Sequence, residues 1–323
     1  MRAVQVTDLI GIDGVSVAEV PEPELTGSGV LIDVHAAGVV FADTLIVRGL
    51  YQVKPELPFT LGIEVAGVVA EASADAQVRP GDRVTALLSH GGMAEQVIAP
   101  VGLTFPLADE LSFVQGAALT ANTQTAYFAL VHRTTVSPGE RVLVFGAAGG
   151  LGLALLQVAK ALGASTIGVV STERKAEVAR QAGADETIVG YEELESAVRA
   201  IAPEGVDLVA DPVGGDAIWR ASIRVLRADG RFVVLGFAGG EIPKLGANRI
   251  MFGNIAVVGA AYGAYVETRN ETAQAVARGV NELVAAGHAH PVIDVALPLE
   301  QVGEALRRLE GRDVHGTVVL ELR

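Results

Sequence analysis

Apolar and polar positions at the start of the chain alternate in short runs. Residues 15–20, 30–36, 64–71, 83–88 and 93–99 are rich in β-formers, and Pro-Gly and Gly-Gly pairs punctuate the gaps between them. This spacing predicts an antiparallel, barrel-like unit. Residues 109–131 change to small, helix-compatible side chains. From Gly139 the pattern alternates in longer steps: strand 141–145, helix 150–162, strand 166–170 and a charged helix 173–182. Strands 206–210, 231–235 and 255–259 follow, with a helix over 216–227. Strands alternating with helices predict an α/β unit with a doubly wound parallel sheet. Beyond Thr268 two helical stretches lead to a last strand at 316–320, so the chain is expected to return to another sheet.

The alternating half contains the most informative local pattern, Gly146-Ala147-Ala148-Gly149-Gly150-Leu151-Gly152, set between a strand and a helix. Glycines at this spacing permit a tight turn, close approach of backbone to a phosphate, and close packing of helix on strand. The helix start adds unpaired amides and the positive end of its dipole. The motif therefore reads as the seat of a dinucleotide pyrophosphate. The next strand ends at Val170-Ser171-Thr172-Glu173-Arg174-Lys175. An NAD site places an acid at this tip to bind the ribose 2′-hydroxyl. Ser171, Arg174 and Lys175 instead suit a 2′-phosphate, which favours NADPH over NADH.

Composition narrows the classes. With 323 residues, half of them hydrophobic, the chain can build two cores. A formal net charge of -14 repels phosphate backbones and anionic lipids, which argues against nucleic acid and membrane partners. Without cysteine there is no disulfide, thiolate nucleophile or cysteine-ligated metal, which fits a cytoplasmic protein. The first residues lack the pattern of a signal peptide. The uncharged stretches 112–131 and 142–159 are broken by glycines or polar residues, so neither reads as a membrane span. His35, His90, His132, His288, His290 and His315 show no metal-ligand grouping. No Gly-x-Ser-x-Gly occurs, so serine hydrolase chemistry is not expected.

Several further segments carry a family resemblance. They are Gly38-Val39-Val40-Phe41-Ala42-Asp43, Arg48-Gly49-Leu50-Tyr51, Gly62-Ile63-Glu64-Val65-Ala66-Gly67, Pro80-Gly81-Asp82-Arg83-Val84, Asp211-Pro212-Val213-Gly214-Gly215 and Leu235-Gly236-Phe237. With the glycine turn, they make the chain resemble the medium-chain dehydrogenase/reductase superfamily, in its zinc-free, zeta-crystallin-like quinone oxidoreductase branch. The resemblance implies a β-rich GroES-like catalytic domain, 1–121 plus 266–323, into which a Rossmann-like domain, 122–265, is inserted. It also implies an active site in the cleft between domains and a homodimer or homotetramer. Zinc members have cysteine where this chain has Val40, and histidine where it has Ile63. The implied chemistry is therefore metal-free, NADPH-dependent hydride transfer to a small-molecule substrate, a quinone or another α,β-unsaturated carbonyl compound. An enoyl thioester or enone reductase, or a cofactor binder with little catalysis, are the alternatives.

The resemblance also assigns residues. Tyr51 matches a donor tyrosine of enoyl thioester reductases, and Asp43 and Glu64 are acids inherited from the former metal region. With no metal to serve, the two acids are expected to bond Arg48 or backbone, with catalysis by Asp43 as the alternative. Val40, Phe41, Leu45 and Tyr51 would line the substrate. Relatives usually have asparagine at the Val40 position and many quinone reductases have tyrosine at the Leu45 position, so this pocket is more apolar. Thr125, Tyr191, Gly236, Phe237 and Ala238 would contact the cofactor. Thr317 stands where relatives usually have a phosphate-binding lysine, and Arg312 is the substitute.

Overall fold

The structure is a computed structural model and describes residues 1–323. The chain divides into two compact units, one of Met1–Asn122, Val266–Ala285 and Pro291–Arg323, the other of Thr123–Tyr265 and Ala286–His290.

The first unit opens with eight strands: β1 (Arg2–Val6), β2 (Val15–Glu19), β3 (Val30–Val39), β4 (Phe59–Thr60), β5 (Glu64–Ala72), β6 (Arg83–Leu87), β7 (Gln96–Ala99) and β8 (Thr104–Pro106). All pairings among them are antiparallel, as the short alternating runs predict. In β3 the side chains of Val30, Ile32 and Val34 are buried while Leu31, Asp33 and His35 are less so, the period-two signature of a half-covered strand. β4 and β8 escape the sequence reading because they are short, and the five-residue β1 also goes unpredicted. The run expected from 93 begins only at Gln96, and a helix, Phe41–Ile46, also goes unpredicted.

The second unit carries six parallel strands: β9 (Arg141–Phe145), β10 (Ser165–Val170), β11 (Glu186–Val189), β12 (Val206–Asp211), β13 (Leu226–Val234) and β14 (Ala256–Gly259). Their order is β11-β10-β9-β12-β13-β14, the doubly wound arrangement in which winding reverses between the first and fourth strands. β9 and β12 lie at the centre and bury nearly every side chain, which is why they read as continuous apolar runs. Leu143, Phe145, Val209 and Phe232 form the core with Trp219, whose ring meets Phe232 edge-on at 5.1 Å. β11 is an edge strand with exposed Glu186 and Val189, too polar to be seen as an apolar run.

The chain then returns through the helix Asn270–Ala285, β15 (Ile293–Pro298), the helix Val302–Glu310 and β16 (Thr317–Glu321). β16 pairs antiparallel with β3, Val319 opposite Gly38. β15 pairs parallel with β16, the one departure from an antiparallel unit. The helix between them supplies the crossover that a parallel pair needs. The boundary expected over 266–323 also needs correction, since Ala286–His290 belongs to the second unit. There the Gln157 side chain donates to the His290 carbonyl and accepts the His290 N–H, both at 2.9 Å. No helix is long and apolar enough to cross a membrane.

Candidate functional site

In the second unit, the expected cofactor residues collect at the C-terminal ends of the parallel strands. β9 runs into Gly146, whose φ of 58° suits glycine. The helix Gly150–Ala161 starts after Gly149, which offers no side-chain cap, so the first helical amides stay available. A Cβ on Gly152 would lie 2.1 Å from the Gly146 carbonyl oxygen, so glycine is required for the helix to reach the strand end. Gly149 is different. A Cβ there would meet only the Gly146 oxygen at 3.5 Å, so the protein itself does not demand glycine. The bare backbone leaves open the space over the helix end that a pyrophosphate would take. A dinucleotide fits this cradle.

The neighbours converge on the same place. The turn lies at the reversal between β9 and β12 and packs on the loop after β12, with the Gly146 Cβ position 3.1 Å from Val213. Buried Asp211 organises that loop by accepting the Val213 and Gly214 amides at 2.8 and 2.9 Å. The Ala238 N–H donates to the Pro212 carbonyl at 3.1 Å, which ties Gly236, Phe237 and Ala238 to it. Tyr191 stacks on Phe145, the last residue of β9, with centroids 6.3 Å apart. Ser171 and Arg174 are exposed and Lys175 half-buried at the tip of β10. Thr172 caps the next helix by accepting the Lys175 N–H, and Glu173 is drawn toward Arg180 at 3.6 Å. Thr125 lies on a helical turn, Thr125–Tyr127, which packs against the Gly150–Ala161 helix. Arg312 belongs to the first unit, exposed in the turn after Val302–Glu310.

In the first unit the other candidates surround two buried acids. Asp43 and Glu64 are both fully buried. Asp43 Oδ2 accepts the Val40 N–H at 2.8 Å, and Glu64 Oε2 accepts the Thr120 hydroxyl at 2.8 Å and the Ala121 N–H at 2.7 Å. The other oxygens, Asp43 Oδ1 and Glu64 Oε1, are buried without a hydrogen-bond partner. Backbone bonding matches one expectation, but the expected Arg48 partner does not appear. Arg48 pairs instead with Glu310 at 2.6 Å. Desolvation, uncompensated by a cation, pushes Asp43 up to about 7 and Glu64 up to about 8, each against backbone hydrogen bonds that pull the other way. Asp43 adds repulsion to Glu64.

Tyr51, half-buried, has its phenol pushed up by desolvation and then by the Asp43 charge, while a hydrogen bond with Gln52 acts against both. Val40, Phe41 and Leu45 are half-buried around the start of Phe41–Ile46. Gly38 is needed opposite the acids, since a Cβ there would fall 2.4 Å from Glu64 Oε1. Thr120 and Asp211 are the residues sequence reasoning did not assign to the site. Thr120 shows no local signal, and Asp211, though it opens the segment Asp211-Pro212-Val213-Gly214-Gly215, becomes an anchor only through the loop it holds.

Comparison with known proteins gives a consistent picture. Residues 27–109 match the alcohol dehydrogenase GroES-like domain family and residues 150–281 the zinc-binding dehydrogenase family. Rat quinone oxidoreductase-like protein 2 is 36% identical over 313 residues, 95% of this chain and 89% of its own. A probable oxidoreductase from Mycobacterium abscessus is 36% identical with a TM-score of 0.91, covering 100% of this chain and 99% of its own. The quinone oxidoreductase of Escherichia coli, solved complexed with NADPH, is 28% identical with a TM-score of 0.89, covering both chains completely. One matching family is described by zinc, and the residues here do not fit that metal. Val40 and Ile63 are apolar, and no three His, Asp or Glu side chains gather into a group that could hold an ion.

The buried acids predict an inverted pH dependence of stability. Both carry raised folded pKa values, so the native state holds more protons than the unfolded chain between the ordinary carboxylate range and about 7 to 8. Stability from these groups is full below that window and is lost as pH rises through it, by up to about 1.4 kcal/mol per pH unit for each proton retained. Thermal unfolding from pH 5 to 8 checks this. The wild type should lose Tm with rising pH more steeply than Asp43→Asn/Glu64→Gln, and parallel curves would contradict it.

Proposed function

Because the chain belongs to the medium-chain dehydrogenase/reductase superfamily, in its quinone oxidoreductase branch, we propose that it uses NADPH to reduce quinones or other α,β-unsaturated carbonyl compounds without a metal. The observation that carries this reading is the open Gly149 cradle at the strand reversal, with Ser171 rather than an acid at the tip of the next strand. The NADPH found with the Escherichia coli relative supports it.

When bound, NADPH supplies a hydride from nicotinamide C4. The first helical amides, of Gly150, Leu151 and Gly152, hold the pyrophosphate against the turn of Gly146, Ala147, Ala148 and Gly149, whose Ala147 and Gly149 amides are taken by the Val169 and Gly146 carbonyls, and Ser171, Arg174 and Lys175 take the 2′-phosphate. Tyr191 lines the adenosine side, with Thr125 and Gly236, Phe237 and Ala238 toward the nicotinamide. Val40, Phe41 and Leu45 form an apolar wall for the acceptor, which excludes water and favours a flat, weakly polar ring or enone. Tyr51 donates a proton to the oxygen on which charge develops. The phenol is protonated at neutral pH, as any tyrosine is, while desolvation and the Asp43 charge raise its pKa and so make it a weaker acid than an exposed tyrosine.

The second unit also presents a surface suited to another copy of this chain. β14 ends the parallel sheet with no outer neighbour, and beside it Met251 and Phe252 are 63% and 76% exposed. An edge strand flanked by apolar side chains buries both most simply by meeting its own equivalent across a two-fold axis. We propose a homodimer through this face.

Oxidation of NADPH and NADH against a panel of quinones, enones and enoyl thioesters tests the reaction. NADPH should be preferred, Arg174→Ala and Lys175→Ala should each weaken NADPH binding about tenfold and leave NADH unchanged, and no turnover with any acceptor would sink the enzyme reading. Tyr51→Phe should lower kcat roughly a hundredfold with unchanged NADPH affinity; an unaltered kcat across pH removes Tyr51 from the chemistry. Phe252→Asp should convert a dimer to a monomer in light scattering, and a wild type that is already monomeric contradicts the assembly.

A further inference from the structure

The loops beyond β12 and β13 are locked together through one residue. Val213 donates its N–H to Asp211 Oδ1 at 2.8 Å, and its carbonyl accepts the Gly239 N–H at 2.7 Å. Its side chain fills the space between two glycine turns. One methyl lies 3.1 Å from where a Cβ would stand on Gly146, and the other 3.4 Å from the same point on Gly239. To either side, the Pro212 carbonyl accepts the Ala238 N–H at 3.1 Å, and the Gly214 N–H donates to Asp211 Oδ1 at 2.9 Å. A Cβ on Gly239 would fall 2.9 Å from the Val213 carbonyl oxygen, so a side chain there would force the two loops apart.

Sheet order says which part of a dinucleotide these loops meet. In the order β11-β10-β9-β12-β13-β14 the glycine turn follows β9, at the centre. A dinucleotide lies across the strand ends at the reversal, its pyrophosphate on the helix start. With Ser171, just past β10, on the adenosine side, the other nucleotide extends over the ends of β12 and β13. Val213 and Gly239 stand there, in the loops that follow these two strands. Asp211 is the last residue of β12 and is buried. Both of its bonds run into the loop that follows. Its contribution is therefore to shape that loop, and the loop carries the shape to Gly146 and Gly239.

We propose that Asp211, acting through Val213, is a positioning residue for the nicotinamide half of the cofactor. It sets the spacing between the pyrophosphate turn at Gly146 and the turn at Gly236–Gly239. This rests on the NADPH reading above and adds to it the residue that holds the two loops in register. Without the carboxylate, the Val213 and Gly214 amides lose their acceptor in a buried loop. Val213 then shifts off Gly146, and Gly239 follows through its bond to the Val213 carbonyl. The adenosine side keeps its geometry, because Ser171, Arg174 and Lys175 lie across β9 from these loops. Asparagine keeps an oxygen acceptor in the same place and so preserves the loop, whereas alanine does not.

Isothermal titration calorimetry of the full chain with NADPH and with adenosine 2′,5′-bisphosphate, which fills only the adenosine side, tests this. Asp211→Ala should weaken NADPH binding about tenfold and leave the bisphosphate within about twofold of the wild type. Asp211→Asn should restore NADPH binding to within about threefold of the wild type. A merely structural defect would move both ligands, so an equal loss for both, or a loss for neither, overturns the positioning role. Should Asp211→Ala fail to fold, Val213→Ala makes the same comparison. It keeps every backbone bond and removes only the methyl contacts with Gly146 and Gly239. NADPH should then bind about threefold more weakly with the bisphosphate unchanged, and an equal loss for both again overturns the role. A protein that shows this binding pattern yet reduces no acceptor keeps the positioning role and refutes the reaction proposed above. A wild type that binds neither ligand refutes both.

Discussion

A methyl group at Gly152 would stand 2.1 Å from the Gly146 carbonyl oxygen and 2.8 Å from the Ala147 Cα. That forbidden contact fixes how closely the Gly150–Ala161 helix can approach the end of β9, and much of the second unit follows from it. With the helix seated there, its uncapped amides open at the reversal between β9 and β12. The loop after β12, braced by Asp211, then closes one flank of the crevice, and Tyr191 on Phe145 closes another. A bulkier residue would lift the helix away and disperse donors that are useful only when they converge.

The first unit rests on a different bargain. Its acids occupy fully buried positions with no cationic side chain paired to them. Thr120, Ala121 and Val40 each engage one oxygen of the pair, and the burial raises both pKa values.

Much of this was legible along the chain, for reasons that differ by element. β9 and β12 are covered on both faces, so they read as apolar runs, and β3 is covered on one face, so it alternates. The glycine turn is visible because φ and space restrict its residues. β4 and β8, of two and three residues, are too short to show a period, and β11 is an edge strand too polar to read as an apolar run. β15 was missed for another reason, since its partly buried residues lack a clear alternation. Arg48 illustrates a further limit. It lies five residues after Asp43 in sequence, yet its partner is Glu310, brought in from the far end of the chain.

The sequence by itself determined the classes of structure, the phosphate-holding turn, the absence of thiol chemistry and the apolar replacements at Val40 and Ile63, because each depends on residue type and near neighbours. Tertiary structure alone decided the rest. It set Gly146 against Val213 and buried Asp43 and Glu64 with one bare oxygen apiece. The physical reason is that desolvation and hydrogen-bond satisfaction are properties of surroundings. A carboxylate between isoleucine and valine in sequence, as at Glu64, looks ordinary until strands and helices from distant segments remove its water.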